Sequence, residues 1–115
     1  MKIFNQTQKQ FLTEKTEVAD SFFTRVRGLI GHTPLNPGEG MIIRPCNGVH
    51  CMFMSFPIDV IFVNKQWQVV HIEDSMSPWK IGGLISGAAF VIETAAGHAR
   101  ATKTGVGDQL EPKYD

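Results

Sequence analysis

The chain has 115 residues, 43% of them hydrophobic, and its eleven Lys and Arg are balanced by eleven Asp and Glu. That length fits one domain, residues 1–115, which buries about two-thirds of its extended surface on folding, while the zero net charge excludes the basic field that draws in nucleic acid or an anionic membrane. Polar residues interrupt the N-terminal MKIFNQTQKQF, and no run approaches the roughly 18 apolar residues needed to span a bilayer, so the expectation is a soluble, cytoplasmic protein.

Residues 2–5 and 11–12 are short apolar pieces around polar residues and predict an opening strand and its return. Over residues 17–30, Val18, Phe22, Val26 and Leu29 or Ile30 recur at spacings of three and four, which predicts a helix with one buried face, Ser21 as its N-cap and Gly31 followed by Pro34 as its stop. Pro34, Asn36, Pro37, Gly38 and Gly40 then mark a loop. After it come five short runs rich in β-forming residues: MIIR (41–44), VHCMFM (49–54), IDVIFV (58–63), WQVVHIE (67–73) and AAFVIE (88–93). With no helical pattern between them, these runs predict a mainly β domain, an antiparallel sandwich or barrel carrying one or two short α-helices. Residues 75–87, SMSPWKIGGLISG, read as a long loop of the kind on which binding sites sit.

Asn47-Gly48 between two apolar runs is the signature of a two-residue hairpin turn. Counting outward from it pairs Cys46 with Val49 and Arg44 with Cys51. The two cysteines then become diagonal neighbours about 7–8 Å apart, beyond the ordinary reach of a disulfide. Free thiols are the expectation, because two cysteines are too few for a disulfide framework. Strand alternation puts His50, Met52 and Met54 on one face. Imidazole and thioether suit a soft ion such as Cu(I), so these three residues are a candidate copper site, with Cys46 of the paired strand as a further candidate ligand. The plainer reading is that the methionines fill core gaps, in which case the protein holds no cofactor. A nucleophilic Cys51–His50 pair is excluded on geometry, since neighbours in a strand face opposite sides; His71 and His98 remain as other candidate bases.

Asp59 interrupts IDVIFV, a strand whose two faces both look buried. An unpaired carboxylate there would cost several kcal/mol, so it requires donors. Arg25 and Arg27, near the end of the expected helix, are the candidates, since a guanidinium holds a carboxylate at two points. The alternative places Asp59 in a pocket beside Glu93 and Asp108, where paired carboxylates serve acid–base chemistry.

The order Arg27-Gly28-Leu29, Gly38-Glu39-Gly40-Met41, His50, Met54, Pro57-Ile58-Asp59-Val60-Ile61-Phe62, Val69-Val70, Pro78, Val91-Ile92-Glu93, Gly97 and Val106-Gly107-Asp108 resembles the DUF192 family over residues 17–111. The resemblance implies a small, mainly β domain with no assigned reaction. Where the commoner branch of that family carries a Trp-Met-Lys-Asn-Thr run, this chain has His50-Cys51-Met52-Phe53-Met54-Ser55-Phe56, so a site built on the Lys-Asn pair does not transfer. Arg27, Gly28, Gly40, Asp59, Glu93, Gly107 and Asp108 do carry over. Gly40 and Gly107 are expected at turns of positive φ, Asp108 in the turn leading into Leu110, and Glu93 at the close of a strand beside a loop.

No nucleophile–base–orienter set and no phosphate-binding glycine motif is present. The leading expectation is a non-catalytic binding or accessory module for a small molecule or protein. Its groove would be lined by Arg27, Asp59, Trp79, Glu93 and Asp108, with Trp67 and Trp79 as flat apolar contacts. The alternatives are the copper site at His50, Met52 and Met54, or a small hydrolase using Asp59, Glu93 and a histidine.

Overall fold

The run IDVIFV makes an interior strand of the larger sheet and is buried at every position. Such unbroken burial is possible only for a strand covered on both faces. The computed structural model describes residues 1–19, 35–48, 56–76 and 84–114. In chain order the described elements are β1 (Lys2–Asn5), β2 (Gln10–Thr13), β3 (Lys15–Ala19), β4 (Glu39–Ile43), β5 (Ile58–Val63), β6 (Val69–Met76), β7 (Phe90–Ala95), helix α1 (His98–Ala101) and β8 (Leu110–Lys113). They form two open sheets, of order β2-β1-β8 and β3-β4-β7-β5-β6. The sandwich alternative therefore holds over the closed barrel, and among the described residues no helix is long and apolar enough to cross a membrane.

The opening strand and its return appear as expected. β1 and β2 pair antiparallel, and Asn5 Oδ1 closes the turn between them by accepting the backbone N–H groups of Thr7 and Gln8, both at 3.1 Å. The small sheet lays Ile3, Leu12 and Leu110 against Ile42, Ile61, Val63 and Ile92 of the large one, with Ala99 of α1 closing the end. The other face of the large sheet carries a second apolar cluster that includes Met41, Ile43, Val60, Phe62 and Val91. Each side chain buried this fully contributes about 1.5–3 kcal/mol.

One expectation fails where it can be compared. Residues Glu17–Ala19, placed in a helix by their spacing, belong to β3, which runs parallel to β4 with Lys15 beside Glu39 and Ala19 beside Ile43. It is the one parallel pair among the described strands. Residues 20–30 of the expected helix lie outside the described residues. The second strand of the expected Asn47-Gly48 hairpin, residues 49–54, lies outside the described residues, and the described side of the turn pairs elsewhere. Cys46 N–H donates to Ala89 O at 3.0 Å, Ile85 N–H donates to Asn47 O at 2.7 Å, and Gly48 bridges to Leu84. In both places the backbone takes a partner distant in sequence, which local periodicity and turn propensity do not register.

Gly40 is a β4 residue rather than a turn glycine, and its requirement is room. A Cβ at this position would stand 2.6 Å from Thr13 Cγ2 and 3.2 Å from Glu93 O. Thr13 is completely buried and its hydroxyl lies 2.7 Å from that of Thr16, so it has little freedom to withdraw. Gly40→Ala is therefore expected to cost about 1–3 kcal/mol, the range for overpacking a close-packed interior, read as a fall in the urea midpoint at unchanged m-value. An unchanged midpoint would remove the close-approach explanation. Gly107, at φ 94°, is the turn glycine its position suggested.

Candidate functional site

The β5–β7 register sets Asp59 against Thr94 and Val60 against Glu93. Because successive side chains alternate, Asp59 and Glu93 point to opposite faces of the same sheet. The expected pocket of converging carboxylates is not formed by this pair.

Asp59 is completely buried, and its donors among the described residues are backbone amides. Oδ1 accepts from Ser75 N–H at 2.7 Å and Gly97 N–H at 3.1 Å, and Oδ2 from Ala99 N–H at 2.8 Å. Gly97 is the N-cap of α1 and has no side chain to cap the helix. Asp59 supplies that cap from a distant strand, satisfying amides that a helix start leaves open. One carboxylate thus ties β5 to the end of β6 and to α1. Arg25 and Arg27 lie outside the described residues.

Asp108 is likewise buried and occupied. Its Oδ2 accepts from Asn5 Nδ2 at 3.0 Å, Gly105 N–H at 2.9 Å and Gln8 Nε2 at 3.3 Å, which pins the turn before β8 to β1 as the sequence suggested. It shares no partner with Asp59. His98 is committed too: its Nε2 lies 2.7 Å from Leu12 O. Trp67 packs edge-on against Phe90 with ring centroids 4.7 Å apart, as part of the core between the sheets rather than as a groove wall.

Glu93 differs from all of these. It is 1% exposed, flanked across the ladder by Met41 and Val60, and its Oε2 has no hydrogen-bond partner. Burial without compensation disfavours the charged form and pushes its pKa from 4.5 up to about 8. Carried across the sheet, the register makes a row of Glu17, Met41, Glu93, Val60 and Glu73 on one face. At about 4.8 Å per strand, successive glutamates in it stand about 10 Å apart. In the adjoining row His71 sits opposite Phe62, with ring centroids 5.6 Å apart, and its Nε2 lies 3.0 Å from Glu73 Oε1. Sequence reasoning passed over Glu17 and Glu73. The alternation of His71, Ile72 and Glu73 was the available signal, but their relation to Glu93 exists only through β5.

Trp79, His50, Met52 and Met54, and with them the proposed copper site, lie outside the described residues. Among the described residues no three of His, Cys, Asp or Glu are grouped to share an ion. One expectation nearby is overturned: Cys46 is disulfide-bonded rather than a free thiol, while Cys51 lies outside the described residues. A disulfide sulfur is no thiolate, so Cys46 has none to offer a soft metal in this state. Thiol titration of the unfolded, unreduced protein is expected to find no free thiol, and two after reduction; two before reduction would contradict the bond.

The chain matches the model of the family DUF192, "Uncharacterized ACR", over residues 3–112. It is 33% identical over 115 residues to a UPF0127 protein of Pyrococcus abyssi, covering 95% of each chain, and 30% identical over 113 residues to one of Thermococcus sibiricus, covering 95% of this chain and 73% of the other. A crystal structure of a protein of unknown function from Novosphingobium aromaticivorans shares the fold at a TM-score of 0.73 and 22% identity, over 96% of this chain and 82% of that one. With nearly its full length matched, the chain belongs to the DUF192 (UPF0127) family.

Proposed function

We propose that this protein is a non-catalytic binding module whose contact point is Glu93, on the face of the large sheet opposite the small sheet. The observation that carries the reading is a buried carboxyl group with an oxygen lacking any hydrogen-bond partner. A buried polar group left unmade costs about 1–3 kcal/mol, and Asp59 and Asp108 show how thoroughly this fold satisfies its other interior carboxylates. A ligand that supplies the missing hydrogen bond recovers that cost. The hydrolase reading lacks this support, since Asp59 and Glu93 face opposite ways and both oxygens of Asp59 already accept backbone N–H groups.

A protein-observed NMR screen of small polar fragments, following backbone amide signals, tests the proposal. Expected are hits that shift backbone signals of Met41, Val60 and Phe62 and disappear in Glu93→Gln. Hits that shift only the outer face of the small sheet, around Phe4 and Phe11, would place the site elsewhere. A cytoplasmic location, part of the same proposal, would require the Cys46 disulfide to persist against a reducing thiol pool.

A further inference from the structure

Strand alternation sets the outer face of the small sheet, the one turned away from the core between the sheets. Ile3, Asn5, Leu12 and Leu110 point inward and are buried. Lys2 and Phe4 of β1, Phe11 of β2, and Glu111 and Lys113 of β8 therefore point outward. The register lays them in two rows, with Phe11, Phe4 and Glu111 side by side in one and Lys2 and Lys113 in the next. The two rings meet edge to face with centroids 5.1 Å apart. Lys2 Nζ lies 5.5 Å from the centre of the Phe11 ring, and Lys113 Nζ 5.7 Å from that of Phe4. Lys113 also pairs with Glu111 at 2.9 Å within the face. Phe11 is 39% exposed, a large apolar side chain left at the surface.

We infer that a second copy of the chain docks on this face, the two small sheets packing against each other about a two-fold axis that crosses the strands between the rows. Such an axis keeps each strand opposite its own counterpart and exchanges the rows, because it reverses position along the strands and not across them. Glu111 then faces the partner's Lys113, Lys113 faces the partner's Glu111, and Phe4 faces the partner's Lys2. The ion pair inside each protomer is kept, and the two pairs join into a ring of alternating charge. No like charges are set opposite one another across the axis. An acidic segment would meet Glu111 and a basic one would meet Lys2 and Lys113, so a partner of one sign fits this mixed face less well. The formal net charge of zero removes the overall repulsion that keeps charged proteins apart. Three strands about 4.8 Å apart and four residues long at about 3.4 Å each make a face about 14 Å on a side. That is small beside the roughly 800 Å² per partner of a standard interface, so the dimer is a weak, transient one. It leaves untouched the far face of the large sheet, where Glu93 lies.

Sedimentation equilibrium and amide NMR spectra of the full chain, followed up to about 1 mM, where a weak contact is populated, test this. The average mass is expected to rise toward that of a dimer, with the signals of Lys2, Phe4, Phe11, Glu111 and Lys113 shifting together. Glu111→Lys and Lys113→Glu are each expected to weaken the association about tenfold or more, because positions 111 and 113 then carry like charges across the axis. Both side chains are solvent-facing, so the fold is kept in each variant. An equimolar mixture of the two variants is expected to restore the association, since each carries the charge that the other lacks. A wild type that stays monomeric at about 1 mM overturns the inference. So do variants that associate as the wild type does, or a mixture that associates no better than either variant alone.

Discussion

Asp59→Ala is expected to lower the stability of the protein by about 3–5 kcal/mol, the cost of leaving several buried hydrogen-bond donors without an acceptor. The substitution strands three backbone N–H groups, those of Ser75, Gly97 and Ala99, in the interior. Each buried donor left unmade costs about 1–3 kcal/mol, reduced where water can enter. Against a total of about 5–15 kcal/mol for an ordinary domain, the loss is a large fraction of what holds the fold. Asp59→Asn keeps the shape and one acceptor oxygen but turns an amide NH2 toward a backbone donor, so it is expected to fall between wild type and alanine. Chemical denaturation with unchanged m-values provides the measurement. Equal stability of all three proteins would show that the carboxylate is not the cap of α1.

A second large effect comes from Glu93, and its sign follows from the direction of its shift. The folded-state pKa, about 8, lies above the unfolded value of 4.5, so between these two pH values the native state holds a proton that the unfolded chain has lost. Stability contributed by this group is fully present below 4.5, declines as pH rises, and is gone above about 8. At about 1.4 kcal/mol per pH unit the whole span is of order 5 kcal/mol. Glu93→Gln removes the titration while keeping nearly the same volume. The difference between wild type and variant is expected to grow in favour of glutamine from weakly acidic to weakly alkaline conditions, then level off. A difference constant across that range would mean that Glu93 ionises as freely in the fold as in the unfolded chain.

Much of the architecture was legible because it depends on local pattern. IDVIFV coincides with β5, and the runs beginning at residues 2, 41, 67 and 88 all overlap observed strands. β8 was not legible: LEPK contains a proline and two charges, and it serves as a strand only because Pro112 lies on a sheet edge, paired on one side with Ile3. At the site the division is similar. That Asp59 is buried and needs donors follows from the apolar residues on both sides of it. That those donors are amides of residues 75, 97 and 99 does not, because every residue except proline carries the same amide and only the fold selects among them. Glu93 was recognisable as a strand residue beside a loop. Its isolation depends on which side chains the register sets next to it, Met41 and Val60, and these come from strands more than 30 residues away in sequence.

The central claim is that the Glu93 carboxyl is buried and uncompensated, and the most direct measurement is its own titration. Selective 13C labelling of glutamate side chains, with Glu93→Gln to assign the signal, follows the carboxyl carbon as pH is raised. The structure predicts a midpoint near 8, set apart from the other glutamates. A midpoint close to the ordinary 4.5 would mean that water or a donor already reaches the group, leaving no unmet hydrogen bond for a ligand to fill.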